Sequence, residues 1–294
     1  MRRFLPCGAA ALLAMTVPTA QAERIQLIAP DGIALKAHWM PRPEGGVGPA
    51  VVALHGCGGL FERTGTAFDP RYPEYVARLH RAGYHVLLPD SFGSRGKGST
   101  CAEPYGKRSI TVETRRGDAI AAVDWLSTRP DVNPRGIVLL GWSHGGTTAL
   151  SALNSAGPAH ARNVAAAIVF YPGCSSFLKQ SFQLQAPVLM LLGEKDDWTP
   201  PGRCIELAER TRKAQPDVDL DVHLYSDSYH GFDSTQPVRF RTDVSNGVSP
   251  RGVHAGGNRA ARAAALAEID ACLASRLGPA PAAGSTPPRT PALR

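Results

Sequence analysis

The chain has 294 residues, of which 43% are hydrophobic and 19% charged, so it is long enough for one sizeable core or two small ones. Its formal net charge is +7 at pH 7, but the basic residues are scattered, without a Lys/Arg-rich run or interleaved aromatic residues. This pattern argues against a nucleic-acid partner and favours a mildly basic globular protein.

The first 22 residues have the pattern of an export signal. Arg2 and Arg3 give a positive start, residues 9–17 are apolar, and Ala20-Gln21-Ala22 is a small-residue cleavage site. The apolar stretch is too short to span a bilayer, and no later segment is long and apolar enough either. We therefore predict a signal peptide over residues 1–22 and a soluble, periplasmic or secreted protein without a membrane span. Removal of Arg2 and Arg3 would lower the net charge from +7 to +5.

Apolar runs alternate with helical patterns along the rest of the chain. Strands are predicted at 24–29, 33–40, 50–54, 84–88, 137–140, 165–170, 187–192 and 219–225. Helices are predicted at 72–82, 112–128, 202–214 and 258–277, and a further helix starts near residue 146. Residues 91–110 and 233–256 lack periodicity and predict long loops, and the Pro/Ala/Thr-rich residues 279–294 predict a disordered tail.

This alternation predicts one α/β domain over residues 23–278. Its mostly parallel, doubly wound sheet of about eight strands should carry helices on both faces. The hairpin joined by Pro30-Asp31-Gly32 adds an antiparallel edge. Because the carboxyl ends of parallel strands meet at one edge of a sheet, we expect the candidate catalytic residues to cluster there.

The most informative stretch is Gly141-Trp142-Ser143-His144-Gly145, between an apolar strand and the start of a helix. In this context Gly-x-Ser-x-Gly is the nucleophile elbow, a turn too tight for bulky flanking residues, which leaves the serine hydroxyl exposed above the sheet. An ordinary glycine-rich turn is the alternative. We predict that Ser143 is a nucleophile, and such a serine needs an imidazole base that is held by a carboxylate.

Two neighbouring aspartates are candidates for that carboxylate. Asp196 and Asp197 both follow strand 187–192, and the chain order Ser…Asp…His is the order that this sheet topology imposes. Spacing excludes neither residue, although Asp196 is favoured. One of the two could instead cap helix 202–214.

His230 is favoured as the base. It comes just after strand 219–225 and before Gly231, which would let the loop carry the imidazole towards the serine. The rival histidines lie in the long loop, inside a strand pattern or beside Gly83, and they are His254, His223, His80 and His85.

The oxyanion of acyl transfer needs backbone N–H donors that are already aimed at it, and one donor contributes about 2.7–4 kcal/mol. One should be the amide of His144, next after the nucleophile. The other is expected in His55-Gly56-Cys57-Gly58-Gly59, and we favour the amide of Cys57. A phosphate-cradling loop is the alternative, but the Gly-Lys-Ser/Thr element is missing. His55 is expected to pin this loop by a side-chain hydrogen bond.

Four motifs together resemble the dienelactone hydrolase family of α/β-hydrolases. They are Leu-His-Gly-Cys-Gly-Gly, Gly-Trp-Ser-His-Gly-Gly, Gly-Glu-Lys-Asp-Asp-Trp-Thr-Pro and Tyr-x-x-x-x-His-Gly-Phe. The resemblance covers about residues 25–275 and implies the α/β-hydrolase fold. It places the acid on Asp196, four residues before the proline, and the base on His230, directly before Gly-Phe.

Three features depart from the namesake enzymes. Those enzymes use Cys where this chain has Ser143, carry a Glu in the loop where it has Gly56, and lack an export signal. The resemblance therefore implies a hydrolase of small carboxylic esters, dienelactone-like or other, that needs no cofactor. A peptidase or amidase on the same fold is one alternative, because a triad does not distinguish esters from amides. A binding protein that has lost catalysis is the other.

The five cysteines after residue 22 fit an exported member of this family, since in an oxidising compartment they suggest disulfides and one free thiol. Our hypothesis pairs Cys57 with Cys101 and Cys174 with Cys204, so that each bridge ties two site-forming loops, and leaves Cys272 unpaired. Four cysteines allow three pairings, and the sequence does not choose between them. No His/Cys cluster has zinc spacing, so no metal site is predicted.

Four side chains are candidates for contacts with the substrate. Arg95 and Arg203 lie in loops near the expected site, and either could grip a substrate carboxylate, with a solvated surface role as the alternative. Trp142 and Trp198 could line the pocket or pack as ordinary aromatic residues. The sequence does not indicate an oligomeric state.

Overall fold

A computed structural model describes residues 22–244 and 246–277 of the chain. The predicted signal peptide, apart from Ala22, and the predicted tail lie outside the described residues. Within those two ranges, no helix combines the length and the apolar character needed to cross a membrane.

Eight strands form one sheet in the order β1-β2-β4-β3-β5-β6-β7-β8. They are β1 (Glu23–Ile28), β2 (Ala34–Met40), β3 (Gly48–Leu54), β4 (His85–Pro89), β5 (Val132–Trp142), β6 (Val164–Phe170), β7 (Val188–Gly193) and β8 (Leu220–Tyr225). β2 pairs antiparallel with both β1 and β4, and the other neighbours in the sheet pair in parallel. The prediction of a mostly parallel sheet of about eight strands with an antiparallel edge is confirmed.

Five helices cover the two faces of this sheet. They are α1 (Arg71–Arg81), α2 (Val112–Ser127), α3 (His144–Leu153), α4 (Gly202–Ala214) and α5 (Arg259–Leu277). Buried residues of α2, α3 and α4 share one apolar cluster with the sheet, whereas those of α1 and α5 share the other. The alternation of β3 shows why both faces are covered, because Val52 belongs to the first cluster and Val51 to the second. Burying each such side chain contributes about 1.5–3 kcal/mol.

The long loop predicted at 233–256 contains a second small sheet, so that prediction was wrong in part. Strands β9 (Arg239–Arg241) and β10 (Val253–Ala255) pair antiparallel, and Ala255 forms an isolated parallel bridge with His230. Each strand has three residues, which is too short to produce a detectable alternation of apolar and polar positions. The small sheet therefore supports the loop after β8.

Two disulfides join loops at one edge of the large sheet. Cys57 is bonded to Cys101 and Cys174 to Cys204, which is the pairing favoured by the sequence analysis. Cys272 of α5 is a free, half-buried thiol. The first bridge ties the loop after β3 to the segment between β4 and α2, and the second ties the loop after β6 to the start of α4.

Removing the second bridge should destabilise the protein. Cys174 and Cys204 are 30 residues apart, so replacing both by Ser should lower the free energy of unfolding by about 3–4 kcal/mol, because the unfolded chain regains loop entropy. Urea unfolding of the double variant measures this loss. Cys272→Ser is the matched control and should change stability by less than about 1 kcal/mol. A double variant as stable as the control would contradict a structural role for the bridge.

Candidate active site

Ser143 stands on a strained turn between β5 and α3. Its backbone has φ 51° and ψ −115°, outside the regions that a residue with a side chain normally adopts. The turn is held on both sides, because the Ser143 amide donates to the carbonyl of Phe170 at 2.9 Å and its carbonyl accepts from the amide of Thr147 at 2.9 Å. Ser143 is partly exposed, which would let its hydroxyl meet a substrate.

The flanking glycines are needed because three backbone segments meet at this turn. A Cβ on Gly145 would overlap the carbonyl oxygen of Leu54 and lie 2.7 Å from that of His55. A Cβ on Gly141 would lie 2.5 Å from the carbonyl carbon of Gly145. The Gly-x-Ser-x-Gly spacing thus allows α3 to start directly against the end of β3, as the nucleophile elbow does.

A carboxylate and an imidazole form a buried pair at the same edge of the sheet. Asp196, after β7, and His230, after β8, are joined by a 2.8 Å hydrogen bond between Oδ2 and Nδ1. The other carboxylate oxygen accepts from the amides of Trp198 and Thr199 at 2.9 and 2.8 Å. These bonds fix the carboxylate, and the Nδ1 bond leaves His230 Nε2 as the ring nitrogen available for proton transfer.

Thr199 takes part in this arrangement and was missed from the sequence. Its hydroxyl lies 3.0 Å from Asp196 Oδ2, 3.1 Å from His230 Nδ1 and 3.0 Å from the carbonyl oxygen of Tyr171. The spacing Asp-x-x-Thr was the available signal, because an Asp side chain often accepts from backbone amides two or three residues ahead of it.

The structure separates the two aspartates between which spacing could not decide. Asp197 binds His254 instead, with Oδ2 2.7 Å from Nδ1 and Oδ1 accepting from the His254 amide at 2.8 Å. This second pair holds β10 against the loop after β7. The other rival histidines bind elsewhere, His80 at Met40, His85 at Arg42 and His223 near Glu268.

The loop after β3 approaches Ser143. A Cβ on Gly56 would lie 3.8 Å from the Ser143 Cβ. Among the described residues, no backbone hydrogen bond of a turn, loop or cap uses the N–H of Cys57 or of His144 as its donor. The assignment of these two N–H groups to an oxyanion hole stays a prediction.

Side chains hold this loop in place. The fully buried His55 bonds through Nδ1 to the carbonyl of Gly56 at 2.8 Å, and its own carbonyl accepts from Arg115 at 2.7 Å. Burial, together with the positive charge of Arg115, holds the pKa of His55 well below its usual value. A neutral His55 that donates from Nδ1 matches the pinning role predicted for it.

Two of the four side chains proposed for substrate contact are committed elsewhere. Trp142 is fully buried and donates from Nε1 to Asp233 at 3.0 Å, so it packs in the core and the prediction was wrong. Arg95 binds both oxygens of Asp118, at 2.9 and 2.8 Å, and also pairs with Asp31. Its guanidinium N–H groups are therefore already used and do not bind a substrate carboxylate.

Trp198 and Arg203 do lie at a pocket. Its volume is about 270 Å³, and it lies between the loops after β6 and β7 and the segment 246–248. Trp198 also packs on the His230 ring with centroids 4.5 Å apart, whereas Arg203 is exposed and pairs with Glu206. Over the described ranges, no group of three His, Cys, Asp or Glu side chains is arranged to hold a metal ion.

Comparison with known proteins gives the same fold and a family. The sequence model of the dienelactone hydrolase family matches residues 39–269. Two uncharacterized proteins of Mycobacterium tuberculosis strains are each 29% identical over 186 residues, which is 58% of this chain and 60% of their own length. The chain thus spans about three fifths of these curated relatives.

Solved structures resemble the chain over most of its length. A dienelactone hydrolase-like promiscuous phosphotriesterase from metagenomic libraries has a TM-score of 0.62 and 18% identity, covering 87% of this chain and 98% of that one. Thermogutta terrifontis esterase 2, phosphorylated by paraoxon, has a TM-score of 0.60 and 18% identity, covering 90% and 97%. At such identities the likeness shows the fold, which is that of the α/β-hydrolases.

The packing at the elbow predicts a steep cost for a single methyl group. Gly145→Ala should lower the free energy of unfolding by at least about 2 kcal/mol, because the new Cβ meets backbone atoms that cannot move aside. Gly202→Ala is the matched control, since its Cβ would meet nothing within 4 Å and Ala favours a helix. Urea unfolding compares the two variants, and equal stabilities would argue against the tight approach of β3 and α3.

Proposed function

We propose that this chain, which belongs to the dienelactone hydrolase family, hydrolyses carboxylic esters through Ser143, His230 and Asp196. The observation that carries the proposal is the buried 2.8 Å pair of Asp196 and His230 at the strand-end edge where Ser143 is held at positive φ. Family and fold support a hydrolase. The side chains at this edge are those that acyl transfer from an ester requires.

In the first half of the reaction, Ser143 Oγ attacks the carbonyl carbon of the ester while His230 Nε2 takes the hydroxyl proton. Asp196 stabilises the imidazolium that results and keeps the ring in one orientation. The amides of Cys57 and His144 would bind the oxyanion of the tetrahedral intermediate. When this intermediate collapses, the C–O bond to the alcohol breaks and His230 returns the proton to the leaving oxygen.

In the second half, a water molecule attacks the acyl-serine carbonyl and His230 takes one of its protons. Collapse of the second intermediate releases the acid and restores the hydroxyl of Ser143. The reaction needs no cofactor. His55 would stay neutral and outside the proton transfer, because its Nδ1 is bonded to the Gly56 carbonyl and burial holds its pKa low.

Export to an oxidising compartment is part of the proposal. The two disulfides fit a periplasmic or secreted protein, and the signal-peptide pattern of residues 1–22 agrees with them. The domain would then comprise residues 23–278. Both bridges border the candidate site, so an oxidising compartment would support the loops on which the proposed chemistry depends.

A panel of chromogenic substrates tests the proposed reaction. We expect wild type to hydrolyse short-chain nitrophenyl esters and Ser143→Ala to retain no more than about 10⁻³ of kcat/KM, because the nucleophile is gone. Matched nitroanilides should be poor substrates. Cleavage of anilides alone would favour the peptidase alternative, and no cleavage of either class by wild type would favour the binding protein.

The adjacent residues Asp196 and Asp197 allow a matched test of which aspartate is the acid of the triad. Asp196→Asn should lower kcat by about 10³–10⁴-fold, because an amide cannot stabilise the imidazolium or hold its tautomer. Asp197→Asn should lower kcat by no more than about tenfold, since it disturbs only the support of β10 through His254. Steady-state kinetics on one ester compares them, and equal losses would refute the assignment of the acid to Asp196.

A further inference from the structure

A second buried carboxylate lies beside the candidate triad. Asp233 has no exposed side-chain surface and receives three uncharged donors, Tyr171 Oη at 2.5 Å, Trp142 Nε1 at 3.0 Å and Tyr75 Oη at 3.1 Å. Arg71 adds the opposite charge, with Nε 3.3 Å from Oδ2. Buried carboxylates are costly unless paired and hydrogen-bonded, and this one is both.

The donors to Asp233 remain protonated. Burial, with the nearby charge of Asp233, raises the pKa of Tyr75 well above its ordinary value. Burial likewise raises the pKa of Tyr171 well above its ordinary value, since the positive charge of Arg71 does not outweigh it. Both phenols therefore stay protonated at neutral pH, where they act as O–H donors to Asp233.

Two of these three donors lead to different parts of the candidate triad. Trp142 directly precedes Ser143 in the chain. The Tyr171 ring packs on the His230 ring with centroids 4.5 Å apart, and its carbonyl accepts from Thr199, whose hydroxyl contacts Asp196.

Tyr171 is also strained, and Asp233 itself follows His230 closely. Tyr171 has φ 36°, a conformation unfavourable for a bulky residue, so its place depends on the contacts that hold it. Asp233 comes three residues after His230 on the same loop. The Asp233 carboxylate thus connects Trp142, which precedes Ser143, to Tyr171, which packs on the His230 ring.

We propose that Asp233 is a positioning residue of this site, whose carboxylate fixes the Ser143 turn through Trp142 and the His230 ring through Tyr171. The inference rests on the proposed function, because it concerns the same proton transfer. Asp233 touches neither the substrate nor the reacting atoms. It acts by geometry, and by forming a neutral pair with Arg71 next to an imidazole that becomes charged during the reaction.

The charge balance gives this role a specific signature. Asp196 and Tyr171 contact His230 directly, and the pair of Asp197 and His254 holds β10, whose Ala255 bridges His230. Arg71 approaches the next residue of the loop, since a Cβ on Gly231 would lie 3.8 Å from Arg71 Nη2, and Asp233 pairs with Arg71. Arg241 lies over the Trp198 ring, which packs on the His230 ring. Arg262 of α5 binds the carbonyl of Asp233 at 2.8 Å and pairs with Glu74, which forms a second neutral pair farther out. Removing one member of the Arg71–Asp233 pair leaves the other charge uncompensated near His230.

Asp233→Asn tests the role by the pH profile of kcat/KM on a nitrophenyl ester. The uncompensated Arg71 should disfavour the imidazolium form, so the acid limb should move to lower pH by about 0.5–1 unit. Misplacement of the serine turn should lower kcat by about 10–100-fold with little change in KM. Arg71→Gln leaves the negative charge of Asp233 uncompensated, which should favour the imidazolium form of His230 and move the acid limb to higher pH.

A matched control is available on the opposite face of the sheet. Asp118 is equally buried and binds Arg95, but contacts no residue of the candidate triad. Asp118→Asn should lower stability in urea without moving the acid limb. A similar movement in both Asn variants, or none in Asp233→Asn, would overturn the positioning role.

The remaining outcomes are distinguishable. If Asp233→Asn does not fold, the kcat and the pH profile of Arg71→Gln and Tyr171→Phe are measured instead. Tyr171→Phe keeps the ring and loses only its bond to Asp233, so an unchanged kcat in that variant together with an unmoved acid limb in Arg71→Gln would refute the proposal. Ester cleavage by Ser143→Ala at the wild-type rate would instead refute the proposed function.

Discussion

The constraint on which the site depends is the close approach of β3, β5 and α3 at Ser143. A serine at φ 51° costs about 1–3 kcal/mol and persists only where the surroundings leave the chain no alternative. Here the parallel pairing of β5 with β3 and β6 fixes the strand, and the carbonyl of Phe170 and the amide of Thr147 fix the turn. The helix must then begin at His144, which directs its first amides towards the serine.

Sheet topology then explains why residues distant in sequence lie at one edge of the sheet. β5, β7 and β8 are parallel, so Ser143, Asp196 and His230 all follow carboxyl ends of strands at one edge. Loops alone would leave such side chains mobile. The loop after β7 is fixed by amides that donate to Asp196, and the loop after β8 by the bridge between His230 and β10.

The sequence predicted those parts of the site that depend on local pattern. Glycine spacing predicted the tight turn at Ser143, and strand ends predicted the loops that carry Asp196 and His230. Spacing favoured Asp196 but did not exclude Asp197, because the tertiary positions of His230 and His254 divide the two residues. Trp142 and Arg95 were only candidates for substrate contact, and the structure binds them instead to Asp233 and Asp118, which are 91 and 23 residues away in sequence.

A comparison of Asp196 with two other buried carboxylates, Asp118 and Asp233, shows why Asp196 suits proton transfer. Asp118 and Asp233 are balanced by the permanent charges of Arg95 and Arg71, so their electrostatic state does not change during a reaction. Asp196 is different: among the described residues it pairs with no Lys or Arg, and its ionic partner is His230. A histidine can be neutral before attack and positive after it. In the proposed reaction, the stabilisation by Asp196 would therefore grow as the proton moves to His230, whereas Asp118 and Asp233 face partners whose charge stays the same.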